Sequence, residues 1–137
     1  MNEPHEQELR QALDALRCRD FDSAFALFHR LATQDNALAQ HFLGWMNEQG
    51  IGCEVSYSDA VHWWQLAARG GIPEAMVGLA HALENGRGAG RNTMEAYCWY
   101  LAASRLGDAE AAAAARRLEA LLSKGELDAA RRLIADA

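Results

Sequence analysis

The sequence predicts an all-α protein built as a solenoid of about four antiparallel helix pairs, and three observations support this fold class. Small and aromatic residues recur at one interval: Ala60, Trp63, Trp64, Ala67 and Gly71 return thirty-six residues later as Ala96, Trp99, Tyr100, Ala103 and Gly107. A period in this range is typical of helical repeat arrays. Apolar residues also follow helical spacing between these stretches, and helix-capping residues recur at the same interval.

Length and composition favour one stable helical domain over residues 1–137. Half of the residues are hydrophobic and 23% are charged, and a chain of this size can bury a core without cross-links or a metal. Three cysteines, an odd number without a CxxC pair, are typical of reduced thiols in the cytoplasm. The first residues do not resemble a secretion signal, and no apolar run is long enough to span a membrane. We therefore expect a cytoplasmic protein without a membrane partner.

The net charge disfavours nucleic acid as a ligand. The formal charge is -6 and the pI is about 5.3, whereas proteins that bind the phosphate backbone carry a clustered positive surface.

The first predicted helix pair covers residues 5–35. Leu9, Leu13 and Leu16 form one apolar face of the first helix, because residues three and four positions apart share a face. Asp20 or Asp22 can cap the second helix.

Two similar copies then follow, at residues 36–71 and 72–107. In the first copy Asn36 can cap the first helix, and Gly50 can end it because glycine adopts a positive φ. Ser56 and Asp59 predict a capping box, in which the hydroxyl accepts from an early amide and the carboxylate reaches back. Asn92 and Glu95 predict the same arrangement in the second copy.

The last predicted pair covers residues 108–136 and closes the solenoid. Asp108 can cap an alanine-rich helix that we expect to run to Leu122, and Ser123 with Glu126 predicts a third capping box. Pairs of arginines in both helices give this unit the polar outer face that a terminal repeat needs.

The residues of the two copies resemble the Sel1-like repeat family, a relative of the tetratricopeptide repeat. The matching positions in the first copy are Ala39, Leu43, Gly44, Gly50, Gly52, Ala60, Trp63, Trp64, Ala67, Ala68 and Gly71, and those in the second are Ala75, Leu79, Gly86, Gly88, Ala96, Trp99, Tyr100, Ala103 and Gly107. Ala80 departs from the pattern where the first copy has Gly44. The resemblance implies a right-handed superhelix, with the first helix of each pair lining a concave surface, and adaptor work without catalysis.

On this arrangement, one set of side chains is expected to face a common partner-binding groove. The set is Glu6, His41, Trp45, Glu48, Val77, His81, Glu84 and Arg117. Trp45 is the predicted aromatic anchor, with packing between repeats as its alternative. Glu48 and Glu84 would give the groove an acidic edge for a ligand with Lys or Arg, limited at one end by Arg117; the alternative is that both are solvated helix ends.

Two further sets of residues could in principle support a binding site, the paired aromatic residues and two histidines. The aromatic residues at positions 63, 64, 99 and 100 match the packing positions of the repeat, so they predict core and not a stacking platform. His41 and His81 could approach one another, but no third ligand has suitable spacing, so no metal site is predicted.

Catalysis is not expected. One secreted branch of the resembled family is linked to β-lactam binding and hydrolysis, but this chain lacks the paired cysteines of that branch. The chain has no Ser-x-x-Lys motif, and the glycines Gly86, Gly88 and Gly90 follow a helix and not a strand. The sequence therefore predicts a non-catalytic adaptor for another protein, with no cofactor. A self-associating structural subunit is the alternative.

Overall fold

A computed structural model describes residues 3–135 of the chain, and that part forms eight α-helices. The helices are α1 (Glu3–Arg17), α2 (Phe21–Thr33), α3 (Ala37–Gln49), α4 (Tyr57–Arg69), α5 (Pro73–Asn85), α6 (Thr93–Arg105), α7 (Ala109–Glu119) and α8 (Lys124–Ala135). The predicted all-α class is confirmed. The ends of the predicted domain, residues 1–2 and 136–137, lie outside the described part.

Most helices begin at a polar side chain that accepts from the backbone N–H three residues on. Asp20, Asn36, Ser56, Asn92 and Asp108 all cap in this way, which satisfies one of the free amides at each helix start. The predicted caps are therefore confirmed. At the first position of α5 stands Pro73, which needs no N–H partner there.

The reciprocal half of the capping box forms at one of its three predicted places. The Ser123 N–H donates to Glu126 Oε1 at 2.9 Å, and the Glu126 N–H donates to Ser123 Oγ at 3.1 Å. At Ser56 and Asn92 the prediction is wrong. Their N–H groups donate instead to the Asn47 and Leu83 carbonyls, at 2.9 and 2.8 Å, because each loop turns back onto the end of the preceding helix.

Two glycine loops set the spacing between the copies. A Cβ on Gly52 would lie 2.6 Å from the Phe21 carbonyl oxygen, and one on Gly88 would lie 2.3 Å from that of Tyr57. Both glycines also have positive φ, 72° and 83°, so a side chain would be strained on two counts. The loop with Gly52 therefore packs closely against the first residue of α2, and the loop with Gly88 against the first residue of α4.

The seventh helix is shorter than expected. It ends at Glu119 and not at Leu122, because its last turn tightens: the Leu121 N–H donates to the Leu118 carbonyl at 2.9 Å.

The core consists of two clusters, a smaller one from α1–α3 and a larger one from α4–α8. Trp64 and Tyr100 are buried, with exposed fractions of 5% and 0%, as expected for packing positions. Trp63 and Trp99 are half-buried and pack against the smaller and the larger cluster, respectively, so two of the four predicted core aromatic residues are only partly buried. Consecutive helices from α1 to α7 pack against one another, whereas α8 packs against α6, and α3 also contacts α5. None of the described helices is long and apolar enough to cross a membrane.

Candidate functional site

Two helices of the second copy, α5 and α6, and the first helix of the last pair, α7, meet at one carboxylate. Glu84, near the end of α5, accepts from the Tyr100 hydroxyl of α6 at 3.0 Å. Arg117 of α7 donates to the same carboxylate with both terminal nitrogens, at 2.5 and 3.1 Å. A two-pronged pairing of this kind is among the stronger protein hydrogen-bond arrangements. We call Glu84, Tyr100 and Arg117 the closed cluster.

The electrostatics of the closed cluster keep Glu84 ionised. The hydrogen bond from Arg117 holds the pKa of Glu84 below its usual range, and the Tyr100 hydroxyl acts in the same direction against the effect of burial. Burial and the hydrogen bond to Glu84 raise the pKa of Tyr100. The carboxylate therefore carries its charge at neutral pH and has donors on both oxygens.

The equivalent positions one repeat earlier, on α3, α4 and α5, are occupied by different residues. Thirty-six residues before Glu84, Tyr100 and Arg117 stand Glu48, Trp64 and His81, which we call the open cluster. Glu48 accepts from the side chain of its neighbour Gln49 at 3.2 Å. Within residues 3–135 no ion pair joins Glu48 to His81, and the buried Trp64 Nε1 has no hydrogen-bond partner.

The open cluster surrounds a cavity of about 50 Å³. The residues that line it are Glu48, Tyr57, Trp64, His81, Ala82, Asn85 and Arg87. The loop that contains Gly88 brings Arg87 to the start of α4, where the guanidinium lies 5.1 Å from the centroid of the Tyr57 ring. The cavity thus has a carboxylate, an imidazole and a guanidinium around one buried indole.

Trp64 lies in this position because two glycines make room for its ring. A Cβ on Gly44 of α3 would lie 2.4 Å from Trp64 Nε1, and a Cβ on Gly78 of α5 would lie 2.8 Å from Trp64 Cε2. Contacts this short are not tolerated without movement of the ring. The indole therefore packs directly against α3 and α5, the first helices of the two copies.

The predicted groove residues divide into three groups. Glu48 and His81 line the cavity of the open cluster, and Glu84 and Arg117 pair in the closed cluster. The remaining four, Glu6, His41, Trp45 and Val77, lie outside the cavity. Glu6 is exposed, and Trp45 and Val77 are partly buried against the two core clusters.

His41 is half-buried, and its Nδ1 has no partner among the described residues. Burial lowers the pKa of His41, and the nearby Glu74 partly opposes this, so the ring is neutral at neutral pH. The described part of the chain contains no group of three or more residues that could hold a metal ion.

The sequence prediction missed the other polar residues of the cavity, Tyr57, Asn85 and Arg87, and assigned Trp64 to packing alone. The sequence does contain one signal of the site. His81 and Arg117 stand thirty-six residues apart, at equivalent positions of the repeat, and their side chains differ. Nothing in the residue pattern placed Arg87 over Tyr57, because that contact depends on how the glycine loop folds.

A second cavity, of about 370 Å³, lies between α6 and α8. Its lining is mainly apolar and consists of Glu95, Cys98, Trp99, Ala102, Leu133 and Ile134. Leu133 at its edge is 55% exposed. The thiol of Cys98 is a weak nucleophile here, because burial raises its pKa.

Comparison with known proteins gives one family and two similar structures. The model of the Sel1 repeat matches residues 19–36, 37–72 and 73–108. A crystal structure of a Sel1 repeat protein from Oxalobacter formigenes superposes with a TM-score of 0.76 at 25% identity, covering 80% of this chain and 45% of that one.

A protective antigen of uropathogenic Escherichia coli strains, which displays an SLR fold, superposes with a TM-score of 0.86 at 24% identity. That alignment covers 93% of this chain and 28% of the antigen, so the chain spans less than half the length of either protein. No curated protein sequence is similar enough to this chain to match it.

Proposed function

The chain belongs to the Sel1 repeat family, and on that premise we propose that it is a non-catalytic adaptor whose concave groove binds a basic segment of a partner protein. Repeats of this family generally mediate protein–protein interaction. The observation that carries the proposal is the open cluster, a polar cavity between α3 and α5 with a carboxylate that lacks an ion-pair partner among the described residues.

The position of the cavity supports a groove ligand. Glu48 comes from α3 and His81 and Asn85 come from α5, and in this architecture the first helices of the pairs line the concave surface. A segment lying along the groove would cross both helices. Trp45, half-buried on α3 one turn before Glu48, would offer it an aromatic contact, and aromatic anchors commonly carry much of the binding energy of an interface.

Charge supports a basic segment. The chain has a net charge of -6, which attracts cationic ligands at long range and raises their association rate. Glu48 adds a local negative charge that is only half-buried. A Lys or Arg side chain of the partner would complement this site, whereas the carboxylate of the second copy is already taken by Arg117.

Affinity capture with matched variants tests the proposal. We expect Trp45→Ala with Glu48→Lys to abolish capture of the partner while helicity and melting stay nearly unchanged. The control is His62→Ala with Glu54→Lys, which makes the same charge change at two exposed residues outside the cavity and should leave capture intact. Capture retained by the groove variant, or lost equally in the control, would contradict a site in the groove.

Self-association is the second candidate function, and the cavity between α6 and α8 favours it. The ends of a repeat array must be polar to stay separate in water, but Leu133 and Leu121, at 55% and 69% exposure, present apolar surface at the last helix pair. A second copy that packs there would bury both. Light scattering over a hundredfold dilution tests this: a mass that stays at one chain throughout excludes it.

A further inference from the structure

We propose that the open cluster binds the guanidinium of an arginine from the partner, in the place that Arg117 occupies in the closed cluster. The inference rests on the proposed function, since it names the side chain that the partner segment presents. Its physical basis is independent, because the same chain shows the occupied arrangement thirty-six residues further on.

The closed cluster is the template for the bound state. There a glutamate at the end of a first helix accepts two hydrogen bonds from an arginine and one from an aromatic side chain of the next helix. The open cluster keeps the glutamate, as Glu48, and an aromatic donor, as Trp64 Nε1. What it lacks is the arginine, because His81 stands at that position.

The size of the cavity fits the missing group. Histidine is shorter than arginine, and the cavity of about 50 Å³ has room for roughly four water molecules at about 10–15 Å³ each. A guanidinium, one carbon with its three nitrogens, occupies comparable space. Its planar fork also matches a carboxylate in two-pronged fashion, which the point charge of a lysine does not.

The unpaired indole N–H gives a second reason for a cationic ligand. Trp64 Nε1 is a buried donor without an acceptor in the described part of the chain, and such a donor is costly to leave unpaired. The acceptor at the matching place in the second copy is Glu84. To accept from Trp64, the Glu48 carboxylate would have to turn inward, away from Gln49, which costs free energy because a charge is buried. A bound guanidinium would offset this cost by pairing with the carboxylate.

Arg87 is the one cation that already lines the cavity within residues 3–135. Its guanidinium lies over the Tyr57 ring, and the described residues include no ion pair between Arg87 and Glu48. Arg87 is therefore a neighbour of the bound arginine and not its substitute. Its positive charge repels the ligand, so Arg87→Gln should strengthen binding by about twofold or more.

The test is a titration of the protein with N-acetyl-L-arginine amide, followed by two-dimensional NMR. We expect saturable binding that is at least tenfold weaker for the citrulline analogue, which has the same shape without the charge. Glu48→Gln should weaken binding at least tenfold, as expected when one charged hydrogen-bond partner is lost. His81→Arg should abolish binding, because the new side chain fills the cavity from within.

Glu84→Gln is the matched control, since it makes the same change in the closed cluster and should leave probe binding unchanged. Melting curves show whether each variant is folded at the titration temperature. Equal binding of citrulline, no binding of the arginine probe, unchanged binding in Glu48→Gln, or lost binding in Arg87→Gln would each overturn the inference. If the partner is captured but the probe does not bind, the adaptor function stands and the arginine site fails; the reverse result leaves the site standing and removes the adaptor.

Discussion

The two copies of the repeat have the same backbone plan but differ in one polar cluster. At the junction of the second copy and the last pair, Tyr100 and Arg117 complete the hydrogen bonding of Glu84, so that three helices are joined. One repeat earlier, at the junction of the first and second copies, Trp64 and His81 stand at those positions, and a cavity remains beside Glu48. The same three positions of the repeat thus form an ion-paired cluster in one place and border a cavity in the other.

The difference shows which positions packing constrains. The aromatic position is buried in both copies, at 5% for Trp64 and 0% for Tyr100, so its size must match its neighbours. The first copy combines the larger ring with Gly44, and the second combines the smaller ring with Ala80. The position of His81 and Arg117 lies at the surface, where packing constrains the residue type less, and the two residues differ there.

The largest expected effect comes from breaking the match between Gly44 and Trp64. Gly44→Ala should lower the free energy of unfolding by about 1–3 kcal/mol, because its Cβ would overlap the indole, as with other overpacked cores. Trp64→Tyr in the same chain should recover most of this loss, because it recreates the pairing of the second copy. Urea denaturation of both single variants and the double variant measures the coupling.

Additive losses in that cycle would contradict the size match. Replacing Gly by Ala also raises helix propensity, by up to about 1 kcal/mol. This gain is the same with Trp or Tyr at position 64 and therefore cancels from the coupling energy.

A smaller effect separates the two glutamates. Glu84→Gln should lower the free energy of unfolding by about 1 kcal/mol, since it weakens charged hydrogen bonds that are partly screened by solvent; the Arg117 side chain is 52% exposed. Glu48→Gln should change it by less than about 0.5 kcal/mol. Thermal and urea denaturation of the two variants check this, and equal losses would mean that the open cluster also holds helices together.

Closing the first copy should give a modest gain. His81→Arg places an arginine beside Glu48 and should raise the free energy of unfolding by up to about 1 kcal/mol, the range of partly exposed ion pairs. The gain should vanish in a Glu48→Gln background, as a double-mutant cycle by denaturation would show. A gain that persists there would come from helix propensity and not from an ion pair.

Low pH should remove the contribution of the Glu84–Arg117 ion pair to the free energy of unfolding. The folded-state pKa of Glu84 is lowered, so its contribution is complete above the unfolded pKa of about 4.3 and is lost as pH falls through the lower folded value. The stability gap between the wild type and Glu84→Gln should therefore shrink below about pH 4. Denaturation at a series of pH values measures it, and a gap that is constant down to pH 2 would contradict the assigned ion pair.

The sequence predicted the helices well because periodicity and caps agree at most of them. It was wrong where tertiary contacts compete with local ones, as at Ser56 and Asn92, whose N–H groups bond to the preceding helix. The sequence did not predict the ion pair between Glu84 and Arg117. It predicted only that Arg117 would limit, at one end, the acidic edge formed by Glu48 and Glu84.

The open cluster was predicted in part, through Glu48 and His81. Trp64 was assigned to packing, and its ring does pack, but no periodicity shows that its N–H lacks an acceptor. Arg87 reaches the cavity through a glycine loop whose path depends on the contact with Tyr57.

The indole N–H of Trp64 gives the most direct test of the account. The chain contains four tryptophans, and a Trp64→Phe variant assigns the NMR resonance of the one in the cavity. On addition of N-acetyl-L-arginine amide, the Trp64 indole resonance should move saturably in the wild type and stay still in His81→Arg. A Trp64 resonance that does not move in the wild type, or moves equally in both proteins, would contradict the claim that the first copy is an open version of the second.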